Sequence, residues 1–281
     1  MRKNTPHKSA KVIIAILSLS VSLSLMAGNN GAFQSSKPIA RVEYWQQRQI
    51  QIEQLLLDKP ALSKVKLLFL GDSITDFWMM GEDLWVQSQW HGKRIWDESF
   101  IGTPPENTAQ NFGISGDRTE HILYRIQPKK DGGLGELDSP ELNPDYIIIM
   151  LGINNSWAPE YPVTDSIYEG VSTVVRTVHK LKPHAHIILE SILPTNDPVK
   201  NANVVKPVNQ RLAALIISTE FSGSVSYLDL YPAFIDVSGK QIANYFVQDG
   251  LHPNENGYQV WRDKLLPFMT SDRKKRSQNQ H

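Results

Sequence analysis

Cysteine is absent from all 281 residues. That absence excludes disulfides, thiol catalysis and lipid modification of a cysteine, so stability must come from a packed core. An excess of one charge is equally lacking: 29 basic residues face 29 acidic ones. A chain with no basic surplus is a poor candidate for nucleic acid as its main partner. No uninterrupted apolar run reaches the roughly 20 residues of a membrane span. No internal repeat occurs, and no low-complexity stretch lies outside the termini. What is present is an ordinary apolar and charged composition at a length suited to one sizeable α/β domain.

The first residues differ from the rest. Arg2, Lys3, Lys8 and Lys11 precede the run Val12-Ile13-Ile14-Ala15-Ile16-Leu17, which continues through Leu25 and Met26 to Ala27. A basic start, a short apolar centre and small residues at its end predict a secretory signal peptide over residues 1–27, and so a secreted or periplasmic protein. The alternative is an uncleaved anchor, against which the Ser-interrupted run is short. Loss of residues 1–27 removes four basic residues and no acidic one, turning 29 against 29 into 25 basic and 29 acidic. Residues 28–38, rich in Gly, Asn and Ser, read as a linker. Residues 39–270 read as a single folded domain. Residues 271–281, with Arg273-Lys274-Lys275-Arg276, read as a disordered basic tail.

Within the domain, apolar runs alternate with helical patterns. Val65 to Leu70, Tyr146 to Leu151, Ile187 to Leu193 and Val225 to Leu230 are expected strands, with a shorter one at Gln110 to Phe112. Helices are expected over Arg41 to Asp58, Ser166 to Leu181, Val204 to Ile217 and Glu255 to Phe268. Ser166 and Glu169 form a candidate capping box ahead of the stripe Ile167, Val171, Val174, Val175, Val178, Leu181. Near-continuous apolar strands separated by helices predict a parallel sheet covered on both faces.

Chemistry enters at three places. Leu67-Leu68-Phe69-Leu70-Gly71-Asp72-Ser73 reads as a buried strand delivering Ser73 to a tight turn. Asp249-Gly250-Leu251-His252-Pro253 places an acid and an imidazole three residues apart, before the last helix. Ligands collect at the carboxyl ends of parallel strands, beside the point where strand order reverses. With Val65 to Leu70 central, the residues following its two neighbours flank Ser73. These are Asn111-Phe112-Gly113-Ile114-Ser115-Gly116-Asp117 and Gly152-Ile153-Asn154-Asn155.

An alcohol attacks an ester when a base takes its proton and donors hold the resulting oxyanion. Ser73 is the candidate nucleophile, His252 the base and Asp249 the group that orients it. The N–H groups of Ser73 and Gly113 with the Asn154 amide are the candidate oxyanion donors. Blander roles compete: Ser73 as a turn residue, Asn154 as a strand-end brace, and Asp249 as a turn former with His252 held by Asp72 or a carbonyl instead. Asp72, Trp78 and Asn155 are candidate substrate contacts, although Asp72 and Trp78 serve equally well as a loop hydrogen-bonding group and a core aromatic. His184 and His186 have metal-compatible spacing but no acidic or thiol cluster beside them, which favours a strand-entry turn. Residues 83–110, with Trp85, Trp90 and Trp96, form either a wall of the cleft or packing onto the domain.

Jointly these blocks resemble the GDSL/SGNH esterase-lipase family, whose second name spells the Ser, Gly, Asn and His present as Ser73, Gly113, Asn154 and His252. The blocks run in order from Leu67 to Asn254. The first reads Gly-Asp-Ser-Ile where the family has Gly-Asp-Ser-Leu, and the third has Asn155 where Asp is common. The wording around Asn111 to His121 is similar to the branch holding platelet-activating-factor acetylhydrolase catalytic subunits and bacterial acetyl esterases. The resemblance implies an α/β, flavodoxin-like three-layer α/β/α sandwich, a serine-ester mechanism, and no metal or other cofactor. It implies short, acetyl-like acyl groups; the expected place outside the cell or in the periplasm, with tryptophans suited to stacking on sugar faces, points to a carbohydrate or other small-molecule ester as substrate. A lysophospholipase or thioesterase for long acyl chains is the rival enzyme, and an inactive carbohydrate-binding module on the same scaffold is the rival of another class.

Overall fold

The computed structural model describes residues 33–41, 45–102, 104–217, 219–221 and 223–278. The expected signal peptide lies outside the described residues. Chain order is α1 (Gln46–Leu57), β1 (Leu67–Gly71), α2 (Ser73–Asp76), α3 (Lys93–Phe100), β2 (Ala109–Asn111), α4 (Thr119–Ile126) and β3 (Tyr146–Met150). There follow α5 (Val163–Leu181), β4 (His186–Glu190), α6 (Lys206–Leu215), β5 (Val225–Leu228) and α7 (Glu255–Gln278).

The five strands form one parallel sheet in the order β2-β1-β3-β4-β5. Every residue of β1, β3 and β4 is buried. That is the burial expected when both faces are covered, and it is why these strands read as unbroken apolar runs rather than as alternation. Helices α4, α5 and α6 pack side by side, and α3 packs against α7. The order is that of flavodoxin-like sheets, whose ligand crevice opens between the strands here called β1 and β3. Aromatic rings fill the core beneath that crevice: Trp78 lies within about 6 Å of Phe69, Trp96, Phe100, Tyr258 and Trp261 by ring centroid.

Three local expectations are corrected. The α5 helix starts at Val163, after Pro162, so Ser166 is not a cap. Its hydroxyl instead donates to Ser35 Oγ at 3.0 Å. The second half of the expected linker is docked rather than loose. Ser35 is buried, its Oγ donates to Ser166 O at 2.7 Å, and its carbonyl accepts from Thr119 Oγ1 at 2.7 Å. The expected disordered tail is helical as far as Gln278, because α7 finds partners on the domain. Tyr146 donates its hydroxyl to Asp272 at 2.9 Å and Arg273 donates to Glu106 O at 2.8 Å.

Candidate active site

Strand β1 ends at Gly71 and the chain turns at Asp72, whose extended backbone and side chain cap the single turn α2. Asp72 Oδ1 accepts the Ile74 N–H at 3.0 Å. Ser73 is thereby the first residue of a helical turn. Its N–H is one of the orphan donors of a helix start and has no partner among the described residues.

His252 arrives from the loop before α7. Its Nε2 lies 2.8 Å from Ser73 Oγ and its Nδ1 2.5 Å from Asp249 Oδ2. Asp249 Oδ1 also accepts the N–H groups of Leu251 and His252 at 2.8 and 3.0 Å. Burial pushes the Asp249 carboxyl up, but these bonds and the neighbouring imidazole outweigh it and hold it below the usual range. A carboxylate on Nδ1 fixes the hydrogen there, which leaves the Nε2 lone pair for the serine proton. The loop is braced from outside: Asn196 N donates to Gly250 O at 3.0 Å, Gln241 Nε2 donates to the same oxygen at 2.9 Å, and Phe77 packs on the His252 ring at 4.8 Å.

The residues after β2 and β3 reach the same edge. Asn154 opens a short 3-10 turn and spends one amide hydrogen on Asp117 O at 2.9 Å, the other having no partner among the described residues. Gly113 does not serve as expected, because its N–H donates to Asn111 Oδ1 at 2.8 Å. Gly116, three residues on in the same block, has φ of 78° and an N–H without a partner among the described residues. It lines, with Asn154 and Trp157, a depression of about 500 Å³. The sequence signal for it was the second glycine of Asn-Phe-Gly-Ile-Ser-Gly-Asp.

The three candidate substrate contacts are placed elsewhere. Trp78 is fully buried in the aromatic cluster. Asn155 is buried, accepting from Thr119 N at 3.1 Å and donating to Glu120 Oε2 at 2.9 Å, so it ties the end of β3 to α4. Asp72 is buried as the helix cap, and burial pushes its carboxyl up to about 7 against the pull of the Ile74 N–H and His252. Among the other histidines, His121 is driven down to about 3 by burial and by Arg118, Arg41 and Arg125, so it is neutral. His186 is buried in β4 with Nε2 2.8 Å from Ser226 Oγ. Beneath the Asn154 loop, Arg125 is fully buried and donates to Asp117 at 2.6 Å, to Glu136 at 2.9 Å and to Phe112 O at 2.6 Å.

This is an α/β protein whose parallel sheet carries, at its carboxyl edge, a serine, an imidazole and a carboxylate bonded in series, an arrangement able to activate the serine for attack. The model of the GDSL-like Lipase/Acylhydrolase family matches residues 69–260, and the chain belongs to that family. It is similar to the platelet-activating factor acetylhydrolase IB subunit alpha1 of Rattus norvegicus, at 28% identity over 69% of this chain and 70% of the relative. The alpha2 subunit of the same organism is 29% identical over 68% and 70%. Among solved structures, a GDSL-like lipase from Bacteroides thetaiotaomicron shares the fold with a TM-score of 0.54 at 18% identity, covering 79% of this chain and 97% of that one.

Proposed function

We propose that this chain is an exported serine esterase that removes short acyl groups, acetyl foremost, from oxygen esters. The single observation that carries the reading is the hydrogen-bonded series Ser73 Oγ, His252 Nε2, His252 Nδ1, Asp249 Oδ2, with links of 2.8 and 2.5 Å. Ser73 Oγ attacks the ester carbonyl carbon as His252 Nε2 takes its proton. Asp249 stabilises the imidazolium that results. The N–H groups of Ser73 and Gly116 and the free amide hydrogen of Asn154 hold the oxyanion. As the tetrahedral intermediate collapses, His252 returns the proton to the departing alkoxide. Water, deprotonated by His252, then cleaves the acyl-serine and frees the acid.

Support for a short acyl group comes from the relatives named acetylhydrolases. Support for a carbohydrate alcohol comes from Trp85. It is 70% exposed and 6.0 Å from Phe77, the ring that packs on His252, so an exposed aromatic suited to stacking on a sugar lies one ring away from the candidate base. Export rests on the basic and apolar start of the sequence. The test is hydrolysis of p-nitrophenyl esters from acetate to palmitate by the protein and by Ser73→Ala. The expected result is a steep fall beyond butyrate and no activity in the variant. A maximum at long chains would transfer the reading to lipid or thioester substrates, and equal rates in protein and variant would remove Ser73 from the mechanism. N-terminal sequencing of the mature protein tests export by locating the cleavage.

A further inference from the structure

Behind the candidate triad lies a second imidazole and carboxylate pair. The His91 side chain is wholly buried and the Asp83 side chain nearly so. His91 Nδ1 lies 2.8 Å from the carbonyl oxygen of Pro253, the residue after His252, and Nε2 lies 2.8 Å from Asp83 Oδ2. A carbonyl only accepts. Burial pushes the Asp83 carboxyl up, but the bonds from His91 and from the Trp85 and Val86 N–H groups outweigh it and hold it below the usual carboxylate range. Asp83 is therefore an acceptor as well. Because the Pro253 carbonyl can only accept, His91 Nδ1 carries a hydrogen and donates it there, while Asp83 holds the opposite ring nitrogen. The His91 ring also packs 5.0 Å from Phe77, which packs 4.8 Å from His252.

We propose that Asp83 and His91 are a positioning pair for the hydrolytic step: the His91 Nδ1–H anchors the Pro253 carbonyl and, through it and Phe77, the ring fixes His252 at hydrogen-bonding distance from Ser73. The proposal rests on the reading of Ser73 and His252 as the reacting pair. The other charged groups around His91 are engaged with one another. Lys93 with Asp97, and Arg94 with Glu98 and Glu255, line the adjoining cavity, while His252 and Asp249 lie across Phe77. Tyr258, whose ring is 6.5 Å away, donates its hydroxyl to Ile74 O. Asp83 thus remains the one carboxylate bonded to the His91 ring among the described residues.

The variant Asp83→Asn separates anchoring from mere packing. Its amide oxygen can keep the Trp85 and Val86 N–H bonds while its NH₂ donates to a lone pair on His91 Nε2, with Nδ1–H still on the Pro253 carbonyl. Asp83→Ala offers the ring no polar partner. The experiment is kcat and KM for p-nitrophenyl acetate by D83A, D83N and the unsubstituted protein. D83A is expected to lose about tenfold or more in kcat with little change in KM, and D83N to recover most of that loss. His91→Phe, which retains a ring but no donor, is expected to lose about 100-fold in kcat with little change in KM, the scale of a small misplacement of a reacting group.

A D83A or H91F kcat within a factor of about two of the unsubstituted protein would overturn the proposal. If H91F fails to fold, D83A beside D83N decides alone. Labelling of the unsubstituted protein by a fluorophosphonate keeps the two readings apart. Labelled protein with kcat unmoved in the variants sinks the positioning pair only, whereas unlabelled protein sinks the serine mechanism.

Discussion

The backbone N–H of Gly113 donates to Oδ1 of Asn111 at 2.8 Å, while Nδ2 of the same Asn111 donates to Thr75 O at 2.7 Å. One buried amide therefore ties the exit of β2 to the turn that carries Ser73. The close fit explains the glycine: a Cβ at position 113 would lie 2.4 Å from Asp76 N and 2.8 Å from Asp76 Cα, both backbone atoms that cannot yield. Asn111→Ala is expected to lower stability by about 1–3 kcal/mol, because the Gly113 N–H would stay buried without its acceptor. A urea denaturation curve measures it. An unchanged midpoint would mean that the turn does not depend on this amide.

Asn154 is expected to behave in the opposite way. Among the described residues its amide has one partner, Asp117 O, which leaves one hydrogen free at the depression it shares with Gly116. Asn154→Ala should therefore cost about 10²- to 10³-fold in kcat, as the loss of an oxyanion donor does, and only about 1 kcal/mol of stability. Steady-state kinetics beside a urea curve separates the two effects. A large stability loss with kcat preserved would make Asn154 a strand-end brace.

Much of this site was legible because it is written in adjacent residues. Gly71-Asp72-Ser73 follows an apolar strand, and Asp249 and His252 share a short loop, so local sequence already held each half of the relay. The two neighbours of β1 were expected once Val65 to Leu70 was taken as the central strand, while the flavodoxin-like architecture came with the family resemblance. Trp78 and Asn155 were misread for a common reason. A residue beside the nucleophile or the amide donor is near the site in sequence, but the turn of the chain points its side chain into the core. Gly113 and Gly116 were interchangeable by pattern, and hydrogen bonding alone separated them. The link from His91 to Pro253 spans 162 positions, and no periodicity carries such a contact.

Arg125 is expected to support the site from below at a large cost when removed. Its guanidinium is buried between Asp117 and Glu136, and Asp117 also takes a bond from Arg41 at 2.9 Å. Arg125→Met would leave these acids undercompensated in the core, a change worth about 3–5 kcal/mol. Because Asp117 O accepts from Asn154, the surviving folded fraction should also show reduced kcat. Thermal unfolding and active-site titration by a fluorophosphonate together read both numbers. Full stability in the variant would show that the cluster is not held as a charged unit.

The Asp72 carboxyl should make stability depend on pH in a definite direction. Burial raises it to about 7 in the folded chain, and its Oδ2 is buried without a partner among the described residues. An unfolded aspartate ionises near pH 4. Below that value both states are protonated and no penalty exists. Between about pH 4 and 7 the unfolded chain has released a proton that the folded chain retains, so stability falls as pH rises, by up to about 1.4 kcal/mol per unit. Above about 7 both states are ionised and the penalty levels off. Asp72→Asn keeps the acceptor for the Ile74 N–H and has no proton to lose, so its stability relative to the unsubstituted protein should grow from pH 5 to pH 7 and then hold constant. Urea curves at several pH values test this. A difference independent of pH would mean that Asp72 ionises as freely in the folded protein as in the unfolded chain, and that the cap beside the nucleophile carries no electrostatic strain.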